Sequence, residues 1–191
     1  MRRLIRALRY RWGLLASEWA KAHARIRFGK AIAIGAGVRL LPGVRIDIFD
    51  NGSIEIGANS SIGPWVILHA SGGKLRIGTD SVIQAGSVIV AAESVAIGDG
   101  ALIAEHVTIR DQDHAHGDRF KPIRLQGRVT GPIVIGEDVW LGAKVTVTRG
   151  VTIAAGTIVG ANSVVTRSIE RAGVYAGVPA RLVGSPEDTR A

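Results

Sequence analysis

From Ile135 to Val165 an aliphatic residue stands at every sixth position: Ile135, Leu141, Val147, Ile153, Val159 and Val165. A helix would turn such residues around its whole circumference. A six-residue period instead fits short parallel strands joined by tight turns and stacked as the coils of an all-β solenoid. Small or β-branched residues follow four places later (Val139, Val145, Val151, Thr157, Ser163), so each unit sends one large and one smaller side chain into a narrow core. Gly136, Gly142 and Gly160 directly follow aliphatic positions and are expected where turns need glycine.

The same phase recurs upstream as Ile34/Leu40/Ile46, Ile56/Ile62/Leu68, Ile77/Ile83/Ile89 and Ile97/Ile103/Ile109. Three hexads make one coil of three faces. These registers restart after 22, 21 and 20 residues, so each early coil carries a few extra turn residues, as around Asp50-Asn51-Gly52-Ser53. One interruption is long: residues 110–132 are polar and carry no repeat, which predicts an irregular inserted loop. The chain therefore divides into an N-terminal segment over 1–30, a solenoid over 31–184 with that loop inserted, and a tail over 185–191.

Charge separates the first segment from the rest. Residues 1–30 hold nine Arg or Lys against Glu18 alone, which equals the whole net charge of +8, and the remaining chain is balanced. A basic surface for nucleic acid is therefore not expected. The segment reads as an amphipathic helix with Leu4, Ile5, Leu8, Trp12, Leu15 and Trp19 along one side. Two compatible expectations follow. The apolar stripe packs over the open end of the solenoid as a cap, or residues 1–24 make a peripheral contact with anionic lipid. Cysteine is absent, which excludes disulfides and thiolate metal sites. With no apolar run of about 18 residues, a cytoplasmic protein, at most peripheral at the inner face of the membrane, is expected.

Five histidines remain as candidate chemistry: His23, His69, His106, His114 and His116. The last two lie in the polar loop as Asp113-His114-Ala115-His116-Gly117. A neutral imidazole there can take a proton from a hydroxyl, although a His-x-His in a loop can also be merely solvated. No Gly-x-Ser-x-Gly elbow competes as a nucleophile.

The repeat, the Asp113-to-Gly117 motif, Ile135-Gly136-Glu137-Asp138-Val139-Trp140-Leu141-Gly142-Ala143 and Ala176-Gly177-Val178-Pro179-Ala180-Arg181 together resemble the hexapeptide O-acetyltransferases, over about residues 30–184. The resemblance implies a left-handed parallel β-helix, a homotrimer with its sites in clefts between subunits, and acetyl-CoA as co-substrate with no metal. It makes His114 the general base and the backbone N–H of Ala143 the oxyanion donor. Trp140, Ala143, Gly160, Ala161, Thr166, Arg167 and Arg181 fall on the acetyl-CoA side. Gln84, which stands where the family has Asn, falls on the acceptor side with Asp113, His116 and Arg124. Arg119, Lys121, Arg124 and Arg128 make the loop richer in cations than a neutral sugar requires, which points to a nucleotide-linked or lipid-linked saccharide.

The function expected is O-acetylation of a sugar hydroxyl in surface polysaccharide or lipopolysaccharide biosynthesis. An amino-sugar N-acetyltransferase is the alternative nearest in chemistry. A γ-type carbonic anhydrase is another, because His69 and His106 lie 37 residues apart, close enough to two coils to share a face. A non-catalytic scaffold is the last.

Overall fold

A computed structural model describes residues 2–185, with side chains from residue 14 onward; beyond Ser185 the expected tail lies outside the described residues. A helix, α1 (Arg2–Phe28), and a short 3-10 turn (Gly29–Ala31) lead into a left-handed parallel β-helix of about six coils. Each coil contributes one short strand to each of three parallel sheets. The first face begins with Ile32–Ile34 and Ser53–Ile56, and the third with Arg45–Phe49 and Ile67–Ser71. The second runs from Arg39–Leu40 to Val174–Ala176 and is closed by Arg181–Gly184, which turns back antiparallel.

The six-residue aliphatic positions form the core. Ile62, Leu68, Ile83, Ile89, Ile103 and Ile109 are fully buried, as are Ile135, Leu141, Val147 and Val159. The positions four residues later fill the same core. Where they are serine they are satisfied across coils: the Ser60 hydroxyl donates to the Gly78 carbonyl and accepts from the Ser81 N–H, and Ser81 repeats this with Gly98 and Ala101, whereas among the described residues the Thr157 hydroxyl is buried without a partner. A buried hydroxyl left without partners would cost free energy, so the ladder allows serine in an otherwise aliphatic column.

The repeat glycines have a different reason from the one their position predicts. Gly57, Gly78, Gly98 and Gly136 do not have positive φ; a Cβ on any of them would lie 2.4–2.6 Å from the backbone of the next coil or, at Gly78, from the Asp99 side chain as well. The left-handed turn residue comes two places later, at Asn59, Asp80, Gly100 and Asp138, and non-glycine residues take that conformation at six further corner or turn positions. Two of these are Trp65 and His106, which pack against Gly43 and Gly86 in the neighbouring coil.

The helix caps the first coil, but not with its apolar stripe. Ser17, Lys21 and Ala24 are buried against the solenoid, and the Ser17 hydroxyl accepts the Leu40 N–H at 2.9 Å. Leu15 and Trp19 are exposed, so the expected cap through that stripe is not what forms. Leu4, Ile5, Leu8 and Trp12 belong to the part of α1 whose side chains lie outside the described residues.

Gly78→Ala should lower unfolding free energy by about 3 kcal/mol, the upper range for forcing atoms into a packed core. Asp80→Gly, at a left-handed position, should change it by less than about 1 kcal/mol. Chemical denaturation of the two variants checks the contrast.

Candidate active site

The insertion at 110–132 is an ordered arm. After the third-face strand Thr108–Arg110 the chain leaves the solenoid as Gln112–His114 and returns antiparallel as Arg128–Thr130, with His114 opposite Arg128. Its base is pinned by Asp111, which is fully buried. The Asp111 carboxylate accepts three backbone N–H groups, from Ala92, Glu93 and Ser94, each at 2.8 Å, and its carbonyl accepts the Gly131 N–H at 2.9 Å. Charge-assisted bonds of this kind are stronger than neutral ones and fix direction. One coil further along, Arg149 Nε meets Asp113 Oδ2 at 2.8 Å. At the tip, the Gln126 side chain bonds the backbone of Asp118 and Lys121, which orders a segment that has no apolar core of its own.

His114 stands at the end of the outgoing strand, exposed, in a recess of about 330 Å³ that it lines with Arg110, Gln112, Asp113 and Arg128. Its carbonyl bonds His116 Nδ1 at 3.0 Å, so His116 supports the turn beside it. The Asp113 carboxylate is engaged by Arg149. Arg124 sits in the 3-10 turn at the arm tip (Ile123–Leu125), outside this recess. Arg110, Arg149 and the anchor Asp111 were not singled out by the sequence. Asp111 is one of three aspartates or glutamines in a row with Gln112 and Asp113, and only the coil register shows which one turns inward.

Gln84 and Trp140 share a separate cleft of about 280 Å³ on the second face, with Val82, Leu102, Ala104 and Glu105. Trp140 is in register with Leu102 and Ile158. At the corner that follows, the neighbouring amides of Gly142 and Lys144 are committed to the Val159 and Glu105 carbonyls. Among the described residues the Ala143 N–H has no partner, leaving it able to donate to a ligand. Gly142-Ala143 stacks on Gly160-Ala161, and a Cβ at Gly160 would meet the Ala176 Cβ at 3.3 Å, so this corner is a track of small residues. Thr166 and Arg167 follow the third-face strand Val164–Val165 and so lie at a different corner, and Arg181 opens the terminal antiparallel strand. Within one chain the His114 recess and the Trp140 cleft share no residues.

The metal reading does not survive the register. His69 is on the third face in line with Asp47 and Val90, beyond which comes Arg110; His106 is at a corner packed on Gly86. The two therefore do not share a column, and among the described residues no three His, Asp or Glu converge as a metal site.

A solenoid of hexapeptide coils that carries a polar arm with a histidine has the fold of the β-helix acyltransferases. The chain belongs to the hexapeptide-repeat acetyltransferases. The family model for bacterial transferase hexapeptide (six repeats) matches residues 132–167. WbbJ of Escherichia coli, whose name assigns it to O-acetyl transfer in lipopolysaccharide biosynthesis, is 40% identical over 144 residues, covering 71% of this chain and 74% of WbbJ. An acetyltransferase of Mycobacterium tuberculosis is 34% identical over 90% of this chain, which spans only 55% of that relative's length. Among solved structures, a variant of AntD, an N-acyltransferase from Bacillus cereus in complex with dTDP and coenzyme A, superposes with a TM-score of 0.72 at 26% identity, covering 86% of this chain and 88% of AntD.

Asp111→Ala should lower stability by about 3 kcal/mol, because three partly buried N–H groups lose a charged, fully buried acceptor. It should also speed proteolysis at the arm tip. Arg149→Ala, which breaks a partly exposed pair, should cost under about 1 kcal/mol. Unfolding midpoints and limited proteolysis together check both expectations.

Proposed function

We propose that the chain is an acetyl-CoA-dependent O-acetyltransferase that acts on a sugar hydroxyl in surface polysaccharide or lipopolysaccharide biosynthesis. The observation that carries the reading is the Asp111-anchored arm, which holds His114 in a recess that Arg110 and Arg128 also line. The 40% identity to WbbJ supports the hydroxyl acceptor. The acceptor would carry phosphate, as a nucleotide-linked or lipid-linked sugar does, with Arg110, Arg128 and the tip residue Arg124 answering its charge.

When bound, acetyl-CoA would supply the thioester carbonyl. His114 takes the proton of the attacking hydroxyl and returns it to the departing sulfur. The Ala143 N–H donates to the developing oxyanion. Trp140, Gly160 and Ala161 flank the acyl-thioester arm, while Thr166, Arg167 and Arg181 face its phosphates. Gln84, Asp113 and His116 complete the acceptor side.

Because the His114 recess and the Trp140 cleft are separate in one chain, the complete site is formed between copies in a homotrimer. Two features support this. The outer side of the second face is an apolar column of Val82, Leu102, Trp140, Ile158 and Val174, with Leu102 48% and Trp140 49% exposed. The arm tip also exposes Phe120, Ile123 and Leu125. The enzyme would act in the cytoplasm at the inner face of the membrane. A second reading, N-acylation of an amino sugar, is favoured by the likeness to AntD, an N-acyltransferase solved in complex with dTDP and coenzyme A.

Thiol release from acetyl-CoA should depend on a nucleotide- or lipid-linked sugar and fall about 10²- to 10⁴-fold in His114→Ala. Release with amino sugars alone would select the N-acyl reading, and no release with any acceptor would contradict both. Three chains of 20.1 kDa predict about 60 kDa by sedimentation equilibrium, shifting towards monomer in Leu102→Arg.

A further inference from the structure

The helix α1 has two faces, and the one against the solenoid is the wrong one for a simple cap. Ser17, Lys21, Ala24 and Phe28 recur at spacings of four, three and four residues and face the first coil. Leu15, Trp19, Ala22 and Ile26 recur at the same spacings and are exposed, with Leu15 64%, Trp19 71% and Ile26 85% accessible. Ile26 lies nine residues from Ser17, about two and a half turns, so the apolar stripe is half a turn away from the body. In the sequence the stripe's period continues upstream through Leu4, Leu8 and Trp12. An amphipathic helix has thus spent its polar and small residues on the protein and kept its apolar side outward.

What covers that side is indicated by charge. The sole acid of residues 1–30, Glu18, is taken up by Lys21 Nζ at 2.6 Å, leaving eight bases in that segment with no acid of their own. Beside the stripe a groove of about 530 Å³ opens between α1 and the first coil, lined by Trp19, His23, Arg27, Leu40 and Val44 and by Arg45, whose guanidinium is paired with Asp47 at 2.6 Å. Packing copies stripe to stripe would bring these cationic segments together without counter-charge, whereas an anionic surface with an apolar interior answers both properties at once.

We propose that the outward face of α1, with Arg27 and the groove beside it, docks on an anionic phospholipid bilayer. Leu15, Trp19 and Ile26 then lie at the depth of the acyl boundary, and the basic side chains meet the phosphates. The first coil sits nearest the membrane. This deepens the inner-face location proposed above and rests on it only for the compartment; it is independent of acyl transfer.

The test is flotation of the full chain with vesicles of phosphatidylcholine and phosphatidylglycerol at 3:1, against phosphatidylcholine alone, together with acetyl-CoA binding and oligomer size. Binding should require the anionic lipid and weaken with salt. It should fall about tenfold or more in the triple variant Leu15→Gln, Trp19→Gln, Ile26→Gln, which keeps helix propensity. Arg27→Glu should reduce it separately. Acetyl-CoA binding by the triple variant should be unchanged, which shows that the solenoid is intact. Failure of the wild type to float with anionic vesicles at low salt would overturn the proposal, as would binding undiminished in the triple variant. A wild-type oligomer that falls apart in the triple variant would instead assign the stripe to a second copy. Loss of acyl transfer with vesicle binding intact would count against the enzyme reading alone.

Discussion

Each coil of this chain must bring its backbone within hydrogen-bond distance of the next on three faces at once. That constraint governs the rest of the molecule. It leaves no space for a Cβ at Gly57, Gly78, Gly98 or Gly136, where the corner of one coil lies directly over the next. It sets the interior so narrow that a six-residue unit fits only one large aliphatic and one smaller partner. It also makes stability a sum of neighbour interfaces, with no single core to disrupt. The ends of such a stack expose unpaired strands, and α1 at one end and the antiparallel Arg181–Gly184 at the other are the coverings.

The rigid stack is what allows a polar arm to be positioned at all. Residues 110–132 contain almost nothing that could bury itself, yet the arm is ordered because its two strands pair and because Asp111 is fastened to the turn at residues 92–94 of the preceding coil. The direction in which His114 is presented therefore depends on a carboxylate three residues before it. The corner formed by Gly142-Ala143 and Gly160-Ala161 offers a second feature, a line of small residues with, among the described residues, an unpartnered amide at Ala143. Neither element alone is a site, and the likeness to acyltransferases gains its physical content from the two together.

The solenoid was legible in the sequence because one signal encodes two things: an aliphatic at every sixth position gives both the inward direction and the coil pitch, as the burial of Ile135, Leu141 and Val147 reflects. His114 was singled out through its motif, and the structure places it in the recess at the end of the outgoing arm strand. The order of the arm was not, since Gln112, Asp113, Arg128 and Val129 show no alternation of apolar and polar residues and pair only because Asp111 fixes their start. The separation of His69 from His106 was also hidden. Coils here differ in length by a residue or two, and counting 37 residues as nearly two coils misplaces the pair by one corner. For α1, amphipathicity identifies the apolar side but says nothing of which side meets the body. Here the Ser17–Leu40 bond and the small Ala24 decide it.

A crystal structure of the assembled protein with coenzyme A tests the central claim most directly. The account predicts a trimer in which the pantetheine arm runs along the Gly142-Ala143 and Gly160-Ala161 corner. Its thiol should lie within about 4 Å of a His114 imidazole supplied across the interface, a distance open to proton transfer directly or through one water. Coenzyme A bound on another face, or a thiol that no His114 of the assembly approaches, would contradict it.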